Sequence, residues 1–207
     1  MNKIAIILII VVILLFYVLY NYFSVRKTNL TSSADLKTET SVDIIDNPGS
    51  THYAYGIWIY VNNWTSVTKK IYAREENIEL YLDGGSPILK CKIMLNNNSD
   101  KTLEITDNFP LQKWTHIVVS VDGQYVDGYL DGKLLKSGRM IDSTGTNGPK
   151  QPSSTSIAMR LGGNNFDATA ARFQHWAEPI NPQTVWNEYL DGNGQGGFMG
   201  FISSIWK

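Results

Sequence analysis

A single cysteine, Cys91, in 207 residues excludes any disulfide within the chain. That scarcity suits a reducing compartment. Cys91 alternates with Leu89, Ile93 and Leu95, the pattern of a buried and inert thiol. The chain has three histidines, His52, His116 and His175, too far apart to show the spacing of a zinc site. A net charge of -1 and a pI near 6.3 leave no basic field to draw nucleic acid or acidic lipid to the surface. No Ser or Cys stands in a nucleophile motif. The Gly-rich run from Gly192 to Gly200 lacks the strand-to-helix setting of a phosphate loop and reads as a connector. No cofactor, metal or nucleic-acid partner is therefore expected.

What is present begins with one long apolar run. Ile4 to Phe23 is apolar or aromatic apart from Asn21, including Phe16 and Tyr20. At helical rise, roughly 20 residues match the hydrocarbon thickness of a bilayer. Tyr17, Tyr20, Tyr22 and Phe23 gather at its C-terminal end, where amphipathic rings favour the headgroup region. The following NYFSVRK has no small-x-small cleavage site, so the reading is an uncleaved anchor and the bilayer a partner. Arg26, Lys27 and Lys37 follow the run while only Lys3 precedes it, which by the positive-inside rule puts the large domain in the cytosol. Residues 28–41, polar and without apolar periodicity, read as a linker. Sequons at Asn29, Asn63 and Asn97 carry little weight in an Asn-rich chain.

From Val42 onward the pattern is β. Tyr55, Ile57, Ile59 and Val61 alternate with Gly56, Trp58 and Tyr60, and short strands follow at 69–74, 78–82, 88–95 and 101–106. The stretch 114–137 reads as a meander of three strands with Asp-Gly turns at Asp122-Gly123 and Asp131-Gly132. A polar loop, 142–155, precedes strands near 157–161 and 170–176. One soluble helix starts at Asn181-Pro182, an N-cap followed by proline, and ends before Gly192. The expected architecture is all-β, an antiparallel β-sandwich or jelly roll with one C-terminal helix, preceded by a single membrane helix. The expected parts are an anchor at 1–27, a linker at 28–41, a sandwich at 42–194 and a tail at 195–207, where FISSIWK has the make-up of an edge strand or partner contact.

If Ile57, Ile59, Ile117, Val119, Val121, Val126 and Leu130 face inward, the opposite face gathers Trp58, Tyr60, His116, Asp127, Tyr129, Arg172, Gln174 and Trp176. Flat rings beside a carboxylate suit a sugar, so Trp58, Tyr60, His116, Asp127, Tyr129 and Trp176 are the candidate carbohydrate or partner-binding face. The plainer alternative is that the rings support a covering loop, the final helix or a neighbouring subunit. Asp122, Asp127 and Asp131 have the residue type for calcium, but two of them belong to turns.

The residues FPLQKWTHIVVSVDGQYVDGYLDGKLLKSG, 109–138, resemble the concanavalin-A-like lectin/glucanase superfamily, in its laminin-G-like branch. FPLQKW, YLDGKLLKS and RFQHWAEPINPQTVWNEYLDGNG are similar to the version found in nucleocytoplasmic large DNA viruses. That resemblance implies a membrane-anchored virion protein of minor capsid type, located at an internal membrane and partnered by capsid or other virion proteins. The superfamily also implies lectin and glucanase alternatives, with glycans as ligands. Glucanase members carry paired acids on one strand; here Glu75, Glu76 and Glu79 have the wrong spacing, and the expectation is no enzyme. Gly128 departs from the pattern, standing where an inward aliphatic residue is usual, which leaves the core short of a side chain or lets another backbone approach.

Overall fold

The computed structural model describes residues 3–23, 27–42, 45, 49–152 and 159–194. Helix α1 spans Lys3–Phe23. The strands follow as β1 (Lys27–Asp35), β2 (Thr40–Val42), β3 (His52–Val61), β4 (Lys69–Arg74), β5 (Ile78–Leu82), β6 (Leu89–Met94), β7 (Asp100–Thr106), β8 (Trp114–Asp122), β9 (Tyr125–Leu130), β10 (Lys133–Arg139), β11 (Met159–Leu161) and β12 (Ala168–Trp176). Helix α2 (Pro182–Leu190) closes the described chain. Two six-stranded antiparallel sheets form, in the orders β1-β12-β3-β8-β9-β10 and β2-β11-β4-β5-β6-β7.

The period-2 pattern fixes which side chains meet between the sheets. Ile57 and Ile59 of β3, Ile117, Val119 and Val121 of β8 and Val126 of β9 face Leu80, Cys91, Ile93, Leu103 and Ile105 of the second sheet, all buried. Burial pushes the Cys91 thiol well up, as an inert core residue requires. Gly128 makes space for a side chain: a Cβ there would lie 2.7 Å from Ile105 of β7. Tyr53, Tyr55, Tyr72 and Phe173 form a ring cluster with centroids 5.3 to 6.0 Å apart. At its rim the Tyr53 hydroxyl donates to Asn77 Oδ1 (3.1 Å), and Asn77 Nδ2 donates to the Lys150 carbonyl (3.0 Å). Buried Asn77 thus ties the β4–β5 turn to the loop after β10 with its polar groups satisfied.

The meander is present as β8, β9 and β10, with Leu130 paired to Lys133 across Asp131-Gly132. Both turn residues have positive φ (47° and 79°), the geometry whose twist matches the flanking strands and that Asp-Gly tolerates. The segment 28–41, expected as a linker, is corrected: it supplies β1, paired to β12, and β2, paired to β11. Edge strands are held through backbone hydrogen bonds and need no apolar alternation, so Ser and Thr serve there. The sandwich therefore starts near Lys27 rather than Val42.

The transmembrane expectation is not carried by the described side chains. Those of α1, Ile6 and Leu8 to Leu19, are exposed, and among the described residues no helix is long and apolar enough to cross a membrane. Ile4, Tyr20 and Phe23 lie in the helix with their side chains outside the described set, while Phe16 is exposed. The tail 195–207, with FISSIWK, and most of the Gly-rich connector lie outside the described residues.

Candidate functional site

Pairing brings the expected aromatic face together on the outer side of the first sheet. Trp58 of β3 sits opposite His116 of β8, and Tyr129 of β9 opposite Val118 of β8. Trp176 of β12 pairs with Ala54 of β3, and its indole packs over Gly56, where a Cβ would meet the ring at 2.9 Å. The geometry overturns the open-platform reading. Trp58, His116, Tyr129 and Trp176 are 7%, 2%, 1% and 1% exposed. A surface with so little accessible ring cannot stack on a sugar.

The cover is the chain's own C-terminal helix. Asn181 caps α2 by accepting from the Thr184 backbone N–H (2.9 Å), and Pro182 takes the first helical position. Val185 on its inner side packs with Ile180, Ala54, Val118, Tyr129 and Trp176 in a second buried cluster. Tyr189 stacks on Trp58 with centroids 5.6 Å apart, and Trp58 stacks in turn on His116 at 4.9 Å. Ion pairs fasten the helix: Lys27 to Glu188 (2.8 Å) and Arg172 to Glu188 (3.5 Å) and Asp191 (3.7 Å). Ser120 Oγ accepts from the Ile180 backbone N–H at 3.0 Å. This is the plainer alternative, in which the rings support the final helix.

His116 follows from this enclosure. Burial pushes its pKa down to about 4, with nearby Arg172 adding to the effect and Asp131 opposing it. The ring is neutral at pH 7 and packs as an aromatic. Its backbone N–H donates to Asp131 Oδ1 (2.9 Å), whose other oxygen accepts from Lys113 (3.1 Å). Of the other expected residues, Tyr60 is half-buried against Trp114 (5.7 Å), and Asp127 is half-buried beside Tyr129. Gln174 is buried and donates to Asn29 Oδ1 (2.9 Å).

The second sheet presents an open outer face that the sequence reading did not single out. Lys70, Ala73, Glu79, Lys92, Met94 and Arg160, with the Glu75–Asn77 turn, line a cavity of about 280 Å³. Its charges are matched internally. Glu39 holds Lys70 (3.2 Å) and Arg160 (3.5 Å), Glu76 holds Lys150 (2.7 Å), and Glu79 pairs with Lys92. The Lys150 ammonium holds the Glu76 carboxyl below its ordinary value. The three acids of the only dense acidic run thus belong to ion pairs, Glu75 at 4.0 Å from Arg160. The alternation of Glu79 and Tyr81 with Leu80, and of Lys90 and Lys92 with Cys91, was the available signal for this face.

Asp122, Asp127 and Asp131 do not converge. Asp122 contacts His52 (2.8 Å) and Asp131 serves its turn. Among the described residues no group of three or more His, Cys, Asp or Glu is placed to hold a metal ion. Asp142 instead organises its loop, accepting from the Thr146 and Asn147 backbone N–H groups (3.0 and 3.1 Å) and the Asn147 amide (2.6 Å). These hydrogen bonds, that from the Asn147 amide foremost, hold its carboxyl far below the usual carboxylate range.

A family model for the concanavalin A-like lectin/glucanases superfamily matches residues 31–186. Among solved structures, the chain is similar to the receptor binding domain of botulinum neurotoxin C/D mosaic serotype, with a TM-score of 0.61 and 16% identity over 82% of this chain and 44% of that one. It is also similar to the botulinum neurotoxin serotype D binding domain, with a TM-score of 0.61 and 14% identity over 82% and 45%. A third is domain 4 of AbnA, a GH43 extracellular arabinanase from Geobacillus stearothermophilus, in complex with arabinotriose. Its TM-score is 0.55, with 18% identity over 79% and 80%. The chain spans less than half the length of the neurotoxin binding domains. At these identities the likeness is one of fold. No curated protein matches the chain in sequence.

Proposed function

The chain belongs to the concanavalin A-like lectin/glucanases superfamily, and we propose that it is a non-enzymatic, membrane-anchored structural protein of a virion. In this reading α1 holds the protein in a bilayer, and the sandwich joins that bilayer to capsid or neighbouring virion proteins. The observation that carries it is α1 itself. Its described side chains, Ile6 and Leu8 to Leu19, are apolar or aromatic and all exposed, Phe16 at 66%. Apolar side chains in that number need a non-aqueous surrounding. The viral setting rests on the resemblance of FPLQKW, YLDGKLLKS and RFQHWAEPINPQTVWNEYLDGNG. The ion-paired acids of the second sheet and the sealed aromatic face support a role without catalysis. Purified particles should contain the protein in a fraction released by detergent and retained in alkaline carbonate. Recovery only from host membranes, or release by carbonate alone, would overturn the reading.

A glycan-binding reading is favoured by the arabinotriose complex of the similar arabinanase domain. On this chain it would use the open face of the second sheet, where Lys92, Glu79 and Arg160 offer hydrogen bonds, rather than the covered rings. Glycan-array binding abolished by Lys92→Ala and retained in Tyr60→Ala would favour it. An array with no signal would remove it.

A further inference from the structure

Helix α2 is packed on a cluster of its own. Ile180 and Val185 meet Ala54, Val118, Tyr129 and Trp176 on the outer side of the first sheet, apart from the core between the sheets. Within the helix Val185 is the buried residue. A short element held by one buried side chain, a ring stack and ion pairs can detach as a unit while the sandwich stays folded. Its grip therefore depends on what lies directly beneath it.

His116 lies there. Its ring stacks on Trp58 of β3 (4.9 Å), faces Tyr189 of α2 (6.3 Å) and is 2% exposed. Its Nδ1 has no hydrogen-bond partner among the described residues. The charges that reach the ring are Asp131 from the β9–β10 turn and Arg172 from β12. Both Asp131 oxygens are already engaged, Oδ1 by the His116 backbone N–H and Oδ2 by Lys113, and Arg172 is itself a cation. The carboxylates of α2, Glu188 and Asp191, are paired with Arg172, and Glu188 also with Lys27. A proton on His116 thus puts a charge into a buried ring stack, which costs more than the faces of two rings return. Lifting α2 admits water and removes that cost. The same acid loosens the ion pairs by protonating Glu188 and Asp191.

We propose that α2 is an acid-released cover: protonation of His116 lifts the helix from the first sheet and bares Trp58, Tyr129 and Trp176 while the two sheets stay packed. The cover works whether or not α1 sits in a bilayer. Enclosed, the ring takes its proton near pH 4, where a solvated histidine takes it near about 6.5. Closure is therefore fully held above about pH 6.5 and weakens as pH falls toward 4.

The test is hydrogen exchange of the full chain in micelles at pH 7 and at about pH 4.5, corrected for the intrinsic effect of pH on exchange. The expected result is a loss of protection in residues 181–191 on the order of 50- to 100-fold, with β3 and β8 unchanged. His116→Phe keeps a ring in the stack and takes no proton, so its α2 should lose less than about 5-fold. If that variant already has less protection in β8 at pH 7, His116→Gln takes its place. Joint loss in α2 and β8 of the unsubstituted chain overturns the proposal, because acid then unfolds the domain, including the core where His175 lies 5.0 Å from Tyr55. No loss in α2 overturns it as well. A loss in the His116 variant as large as in the unsubstituted chain assigns the release to Glu188 and Asp191 and also overturns it.

Discussion

The two outer faces of the sandwich differ in what completes them. The face of the first sheet is rich in rings, and α2 closes it, so Trp58, His116, Tyr129 and Trp176 behave as core residues. That of the second sheet is rich in charge and stays open, with Glu39, Glu79 and Glu76 matched to Lys70, Arg160, Lys92 and Lys150. Both arise from the same alternation of strand side chains. The difference teaches that an aromatic strand face marks something to be covered and says nothing about what covers it. Ion pairs on an open face contribute little each, because water screens them.

The sharpest way to break this comparison is Trp176→Ala. If the ring is core, its loss costs about 3 to 5 kcal/mol, read as a lower denaturant midpoint of the full chain in micelles. Unchanged stability with altered ligand binding would return the face to a recognition role. Acidification probes the same enclosure through His116, whose folded pKa is depressed to about 4 against an ordinary value of about 6.5. The folded state then binds fewer protons than the unfolded. The stabilising contribution is complete above about pH 6.5 and is lost as pH falls from there toward 4, by on the order of 3 kcal/mol. Comparing the pH dependence of the denaturation midpoint with that of His116→Gln isolates this from the carboxylates, and parallel curves would refute it.

Smaller effects sharpen the contrast. Gly128→Val drives a side chain into Ile105 and should cost about 1 to 3 kcal/mol by overpacking. Asn181→Ala removes the cap of the covering helix, at about 1 kcal/mol, with hydrogen exchange rising first in α2. On the open face, Lys92→Ala should change stability by less than about 1 kcal/mol in a chemical denaturation series. A loss as large as that of Trp176→Ala would mean that this face, too, is structural.

Much of the fold was legible because strand periodicity and turn chemistry are local. The strands at 69–74 and 78–82 have the expected bounds, and the inward set from Ile57 to Val126 meets the opposite sheet. The Asp131-Gly132 turn and the Asn181-Pro182 helix start also stand where their residues pointed. The segment 28–41 misled because an edge strand leaves little trace in side-chain pattern. The open face of the second sheet was overlooked because charges on a strand look the same whether they line a cavity or solvent.

By itself the sequence determined which residues form strands, which side of each strand turns inward and where the apolar helix at the start of the chain runs. Period, turn and cap preferences act over a few residues and need no distant partner. Only the tertiary structure decided that β1 and β2 join the sheets, that Ile105 fills the space above Gly128, and that α2 rather than a sugar lies on Trp58 and Trp176. Each of these contacts joins segments far apart in the chain, and alternation along a strand records that a face is buried without recording by what.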